Sequence, residues 1–120
     1  MSSPPPRLLI VEDHHDIRAA LRRLLVHRGW HVLEAATVAE ALALLDPPPD
    51  CVILDLMLPD GDGETVLLKI RAEQLAIRVF IYTASYDPVR LGDVSSVGPD
   101  GVFLKPTGFA GLLQACGTPA

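Results

Sequence analysis

Cys51-Val52-Ile53-Leu54-Asp55 is the stretch that decides how this chain folds. Four apolar residues stand in an unbroken row and end on a carboxylate. An alternating row marks a strand with one wet face. An unbroken row marks a strand covered on both faces, as in a parallel sheet. The same signature recurs upstream in Leu8-Leu9-Ile10-Val11, followed by Glu12-Asp13. It recurs downstream in Val79-Phe80-Ile81-Tyr82, followed by Thr83. His31-Val32-Leu33 and Val102-Phe103-Leu104 are weaker runs and read as edge strands.

Helical patterns fill the gaps between these runs. Ile17, Leu21, Leu24 and Leu25 fall at i, i+4, i+7 and i+8, forming one apolar stripe that Gly29 ends. Thr37-Val38-Ala39-Glu40 reads as a capping box, opening a helix whose face is Val38, Ala41, Leu42 and Leu45 and which Pro47-Pro48-Pro49 closes. Val66, Leu67 and Ile70 mark a third helix between Gly63 and about Glu73. Asp87-Pro88 pairs an N-cap residue with proline at the first helical position. The helix that follows contains Gly92, Asp93, Ser95 and Ser96, all poor formers, and the last one, around Phe109 to Cys116, carries Gly108 and Gly111. These two are expected to be short or irregular. Strict β-α alternation, five times over, implies an α/β domain: an open parallel sheet with right-handed crossovers and helices on both faces.

The chain's 120 residues suit one domain. A chain of this size buries roughly two-thirds of its unfolded surface and needs no staple. Composition is that of a packed globule: 49% hydrophobic and 21% charged residues, with mean hydropathy +0.31. The net charge of −5 argues against a nucleic-acid-binding surface or an anionic-membrane patch. Cys51 and Cys116 match no zinc or thioredoxin spacing, and no apolar run is long enough for a membrane helix. The cytoplasm is the expected location. Residues 1–6, with Pro4-Pro5-Pro6, read as a flexible leader, and 117–120 as a tail or the start of a linker.

In an open α/β sheet, the reactive crevice lies beyond the carboxyl ends of the strands. Those ends here carry Glu12 and Asp13, Asp55, Thr83, and Lys105-Pro106. Singly, each is ordinary: an Asp after a strand commonly serves as a turn or cap residue. Their convergence is informative. Clustered carboxylates repel one another unless cations intervene. Lys105 can offset one charge, and hard oxygen ligands in a partly open crevice suit Mg²⁺. A carboxylate beside such an ion and an ammonium is a reasonable nucleophile towards phosphorus.

Taken in order, Leu8-Leu9-Ile10-Val11-Glu12-Asp13, Val52 to Gly63, Thr83-Ala84 and Phe103-Leu104-Lys105-Pro106 resemble the receiver domain of two-component response regulators. The resemblance covers about residues 7 to 115 and places the receiver domain at 7–116. It implies a flavodoxin-like doubly wound sheet of strand order 2-1-3-4-5. It implies that Asp55 is the phosphoacceptor. Asp13, Asp55 and the backbone carbonyl of Met57 would be Mg²⁺ ligands, with Glu12 acting through a metal-bound water and Mn²⁺ a possible substitute. Thr83 would be the switch hydroxyl, the Ala84 backbone N–H and Lys105 would bind phosphoryl oxygens, and Phe103 would be the aromatic switch. The bond before Pro106 would be cis. The implied partner is a histidine kinase or histidine phosphotransfer protein. Function would then be that of a phosphorelay switch, not of an enzyme with its own substrate. The effector is unspecified, with no output module and no direct nucleic-acid or membrane contact expected in this chain.

Other residues carry two readings. His14 and His15 could be ligands beside the acidic pair, or exposed residues at the start of the first helix. Gly61 and Gly63 read as a tight turn into the third helix. Arg18, Arg22, Arg23 and Arg28 read as a solvated face or as a docking edge, Trp30 as a packing residue, and Ser85 as a position that tunes phosphoryl lifetime in such proteins. Three rival functions remain. An aspartyl-nucleophile phosphatase of the haloacid dehalogenase type would need an Asp where Met57 stands. A binding module that lost its chemistry would not need the set Glu12, Asp13, Asp55, Thr83 and Lys105. A flavin carrier would need a Ser/Thr-rich phosphate loop after the first strand.

Overall fold

Five short segments rich in strand-forming residues build the sheet in a computed structural model that describes residues 5–119. They are β1 (Arg7–Val11), β2 (His31–Ala35), β3 (Cys51–Leu54), β4 (Arg78–Thr83) and β5 (Gly101–Leu104). All pair in parallel, in the order β2-β1-β3-β4-β5, with Leu9 opposite both Leu33 and Val52, and Val52 opposite Val79. The three unbroken apolar rows are therefore the central strands and the two weaker runs the edges. Residues 1–4 of the expected leader, and Ala120 of the expected tail, lie outside the described residues.

Successive side chains of a strand point to opposite faces, so each row feeds two cores. Leu9, Val11, Val52, Leu54, Val79 and Ile81 pack on one face with Ala41, Val66, Leu67, Ile70 and Val94 from helices α2 (Val38–Ala43), α3 (Glu64–Ala72) and α4 (Pro88–Val97). Leu8, Ile10, Ile53, Phe80 and Tyr82 pack on the other, against Leu21, Leu25, Leu112, Leu113 and Cys116 from α1 (His15–His27) and α5 (Phe109–Cys116). Trp30 is buried in this second core, and its Nε1 donates to the Gly117 carbonyl at 3.1 Å. Cys51 and Cys116, remote in sequence, are free thiols buried in the same cluster. Among the described residues, no helix is long and apolar enough to cross a membrane.

The tight turn expected before α3 closes a small ribbon that the sequence reading did not resolve, Met57–Leu58 antiparallel to Gly61–Asp62. It carries Asp60, whose carboxylate accepts from the N–H groups of Val38 (2.8 Å) and Ala39 (3.0 Å). These two bonds hold Asp60 below the usual carboxylate range. Thr37 Oγ1 accepts from the Glu40 N–H at 3.0 Å, but the Glu40 carboxylate reaches back to Ala36 N, one residue earlier than in a capping box.

The fourth helix departs from expectation. It is neither short nor irregular: at ten residues it exceeds α2 with six and α3 with nine. Its ends offset its composition. Asp87 Oδ1 accepts from the Val89 N–H at 3.0 Å, Pro88 opens the first turn, and Gly98 closes the helix in the left-handed region at φ 92°. Asp87→Ala is therefore expected to cost about 1 kcal/mol of stability, read from the urea midpoint at unchanged slope. The fifth helix is short, with eight residues. Of the arginines along α1 and at its C-cap, Arg22 and Arg23 are exposed, as a solvated face requires. Arg18 and Arg22 pair with Glu34 on β2 at 3.2 and 2.9 Å, while Arg28 donates to the Leu113 carbonyl of α5 at 2.7 Å.

Candidate functional site

Parallel strands bring their carboxyl ends to one edge, and backbone bonds fix how each end presents its side chain. Asp55 N donates to Val11 O at 3.0 Å, Glu12 N to Ala35 O at 2.9 Å and Lys105 N to Thr83 O at 2.8 Å. The residue following each strand is thus still held by its neighbour. Glu12 and Asp55 are buried as a result, while Asp13, one step outward, is exposed. Carboxylate oxygens of Glu12, Asp13 and Asp55 lie within 4.8 Å of one another.

Lys105 stands between two of these carboxylates. Its Nζ donates to Glu12 Oε1 and, at 2.9 Å, to Asp55 Oδ2, and it lies 5.5 Å from the centre of the Tyr82 ring. Glu12 Oε2 accepts from the His14 N–H, and Asp55 Oδ1 from the Met57 N–H, both at 3.1 Å. Burial, reinforced by the Asp55 charge, pushes Glu12 above the usual carboxylate range in spite of the bonds from Lys105 and His14 N–H. Burial also opposes the charge on Lys105, but the bonds and charges of Glu12 and Asp55 outweigh it and hold the ammonium above its ordinary pKa. The crevice thus contains more negative charge than one ammonium neutralises. Its free donors are hard oxygens, which suit Mg²⁺ better than a thiophilic metal.

Thr83 is fully buried, and its Oγ1 accepts from the Ser85 N–H at 3.2 Å, with exposed Ala84 between them. Phe103 is half-buried on the α5 side of the sheet, its ring 6.3 Å from that of Phe80. It lies against glycines: a Cβ at Gly101 or Gly111 would stand 3.0 or 3.2 Å from its ring atoms. The Lys105–Pro106 bond is cis, as is Asp46–Pro47, which nothing in the sequence singled out. His14 is the N-cap residue of α1 and His15 its first residue, both exposed; His15 Nδ1 sits 3.5 Å from Asp16.

Gly63 does more than turn the chain. Its φ of −59° suits any residue, but a Cβ there would stand 1.9 Å from the carbonyl oxygen of Asp55. Only glycine lets α3 begin so close beneath the site. Two contributors escaped the sequence reading. The Tyr86 hydroxyl donates to the Lys105 carbonyl at 2.6 Å, and Arg90 of α4 donates to the Leu56 carbonyl at 2.7 Å. Neither lies in a motif, and their targets are backbone atoms far along the chain.

A model of the family described as "Response regulator receiver domain" matches residues 8–116. The chain belongs to that family. This receiver is similar to the transcriptional regulatory protein KdpE of Mycobacterium tuberculosis, with 39% identity over 107 residues, covering 88% of this chain and 47% of KdpE. It is similar to AfsQ1 of Streptomyces coelicolor, another transcriptional regulatory protein, at 38% identity over 84% of this chain and 45% of the relative. The receiver thus spans about half the length of these relatives. Among solved structures it resembles the CheY-like receiver domain from Methanospirillum hungatei, with TM-score 0.86 and 25% identity, covering 94% of this chain and 91% of that one. The order β2-β1-β3-β4-β5 is the flavodoxin-like one.

Proposed function

We propose that the receiver is a phosphoryl-accepting switch, in which Asp55 takes a phosphoryl group from a phosphohistidine of a histidine kinase or histidine phosphotransfer protein in a Mg²⁺-dependent step. The observation that carries this is the setting of the Asp55 carboxylate: buried at a strand end, with Oδ1 oriented by the Met57 N–H and Oδ2 by the Lys105 ammonium. A nucleophile held in this way loses little orientational freedom on reaching the transition state. The phosphorus–nitrogen bond breaks as an Asp55 oxygen–phosphorus bond forms. Negative charge develops on the phosphoryl oxygens, and Lys105 is already in place to meet it.

Asp13, Asp55 and the Met57 carbonyl would hold the ion, with Glu12 acting through water; when bound, the ion neutralises phosphoryl oxygens during transfer. The Ala84 N–H and the Thr83 hydroxyl, released from the Ser85 N–H, would then bind the phosphoryl group. That movement, transmitted to the aromatic at Phe103, would bias a two-state surface read by an effector protein or domain.

The test is incubation with Mg²⁺ and a small acyl phosphate, followed by peptide mapping by mass spectrometry. A labile phosphoryl adduct on Asp55 is expected. An adduct confined to other residues, or none, would overturn the assignment. A cheaper measurement is thermal or urea denaturation against Mg²⁺ concentration. An ion that binds only the folded state at ten times its Kd adds about 1.4 kcal/mol. A stability indifferent to millimolar Mg²⁺ would remove the metal from the mechanism.

A further inference from the structure

The peptide unit between Leu56 and Met57 is the unit that orients the phosphoacceptor, because its N–H is the donor to Asp55 Oδ1 at 3.1 Å. What fixes that peptide lies at its other end. The Leu56 carbonyl accepts from the Gly63 N–H at 2.9 Å and from Arg90 Nη2 at 2.7 Å. The same Nη2 lies 2.9 Å from Asp62 Oδ1 on the ribbon. Leu56 is fully buried, so its carbonyl has no recourse to water. Arg90 itself is held at a cost: its Nε is buried and finds no acceptor among the described residues. A side chain that leaves one buried donor idle is held in place by its other contacts, here a buried carbonyl and an acidic partner.

We propose that Arg90 is a positioning residue for phosphoryl transfer, clamping the Leu56–Met57 peptide from α4 so that the Met57 N–H holds the Asp55 carboxylate in its reactive orientation. The proposal rests on Asp55 being the phosphoacceptor. It gives α4 a direct mechanical link to the acceptor, independent of Thr83 and Phe103. A guanidinium suits the task because one nitrogen can serve the carbonyl and the Asp62 carboxylate together at hydrogen-bond distance.

The test compares the full chain with Arg90→Met, which keeps the aliphatic stem, Arg90→Lys, which keeps a charged donor, and Asp62→Asn, which removes the charge facing Arg90 while keeping an oxygen that can accept from the Glu64 N–H, 2.9 Å from Asp62 Oδ1. Two quantities are read: the rate of Asp55 phosphorylation against acyl phosphate concentration with Mg²⁺ present, and hydrogen exchange at the Met57 amide. In Arg90→Met the saturating rate is expected to fall about tenfold, the loss of one charge-assisted hydrogen bond to a buried carbonyl. The half-saturating donor concentration should stay unchanged, and the Met57 amide should exchange about tenfold faster while β3 amides keep their protection. Arg90→Lys should recover part of both effects, and Asp62→Asn should change either only slightly. A saturating rate in Arg90→Met equal to that of the wild type would overturn the proposal. So would a slower rate with unaltered Met57 exchange. If Arg90→Met does not fold, Arg90→Lys against wild type carries the same two readouts, and no change in either would count against the clamp. If the wild type itself takes no phosphoryl group on Asp55, the proposed function fails. Met57 exchange alone would then still decide whether Arg90 holds the peptide.

Discussion

Asp55→Asn is expected to leave the domain folded and unable to accept a phosphoryl group. The amide keeps the shape of the carboxylate, and its oxygen can still accept from the Met57 N–H that now meets Oδ1. What disappears is the anionic nucleophile. In place of Oδ2 the variant sets an NH₂ against Lys105 Nζ, donor against donor, so the ammonium retains only Glu12 as its anionic partner. Removing one of three clustered carboxylates also relieves repulsion against buried Glu12. Loss of function should therefore come without loss of stability. Intact mass after incubation with acyl phosphate checks the first statement, and a urea titration checks the second. An adduct forming at the wild-type rate would place the acceptor elsewhere. The Mg²⁺-induced gain in stability should shrink as well, because the proposed ligand set loses a carboxylate.

Gly63→Ala should be the most destabilising of the chain's glycine-to-alanine substitutions. The added Cβ would meet the Asp55 carbonyl oxygen at 1.9 Å, its carbon at 2.9 Å and the Leu56 Cα at 3.0 Å, all backbone atoms with no rotamer to turn aside. Replacing glycine commonly stabilises by restricting the unfolded chain, but that gain is a fraction of the clash. The expected cost is about 3 kcal/mol or more, with slower phosphorylation because the displaced peptide carries Asp55, the proposed acceptor. Gly92→Ala is the matched comparison. It lies within α4, and its Cβ would meet nothing within 4 Å. There the same methyl should stabilise by about 0.5–1 kcal/mol. Equal effects at the two positions in urea denaturation would contradict the close packing at Gly63.

The sheet was legible because each central strand is buried on both faces, which leaves an unbroken apolar row that no surface element needs. Carboxyl-end residues were legible for a related reason: the topology assembles them whatever the loops do. Helix α4 was misjudged because its interior propensities outweighed the legible Asp87-Pro88 start, and because Gly98, which closes the helix in the left-handed region, was not read as its stop. The partners of the arginines along α1 were not legible because helical proximity says nothing of them; Glu34 and the Leu113 carbonyl arrive from other elements. Gly63 was read as a turn because sequence reports conformational freedom more readily than lack of space. Arg90 and Tyr86 were invisible because each grips a main-chain carbonyl, which has no signature in a sequence, and the Asp62 carboxylate that Arg90 also meets is brought near only by the fold.

The chain's tryptophan and tyrosines divide between the two ends of the sheet. The single tryptophan, Trp30, precedes β2 and is bonded to Gly117, at the end of the sheet opposite the carboxylates. The two tyrosines flank Lys105: Tyr82 beneath its ammonium and Tyr86 bonded to its carbonyl. The native protein therefore contains its own pair of optical probes. Tyrosine emission reports events around the lysine, and tryptophan emission reports how α5 is moored. Following both after a phosphodonor is added would show whether the two ends respond together or in sequence, without attaching any dye.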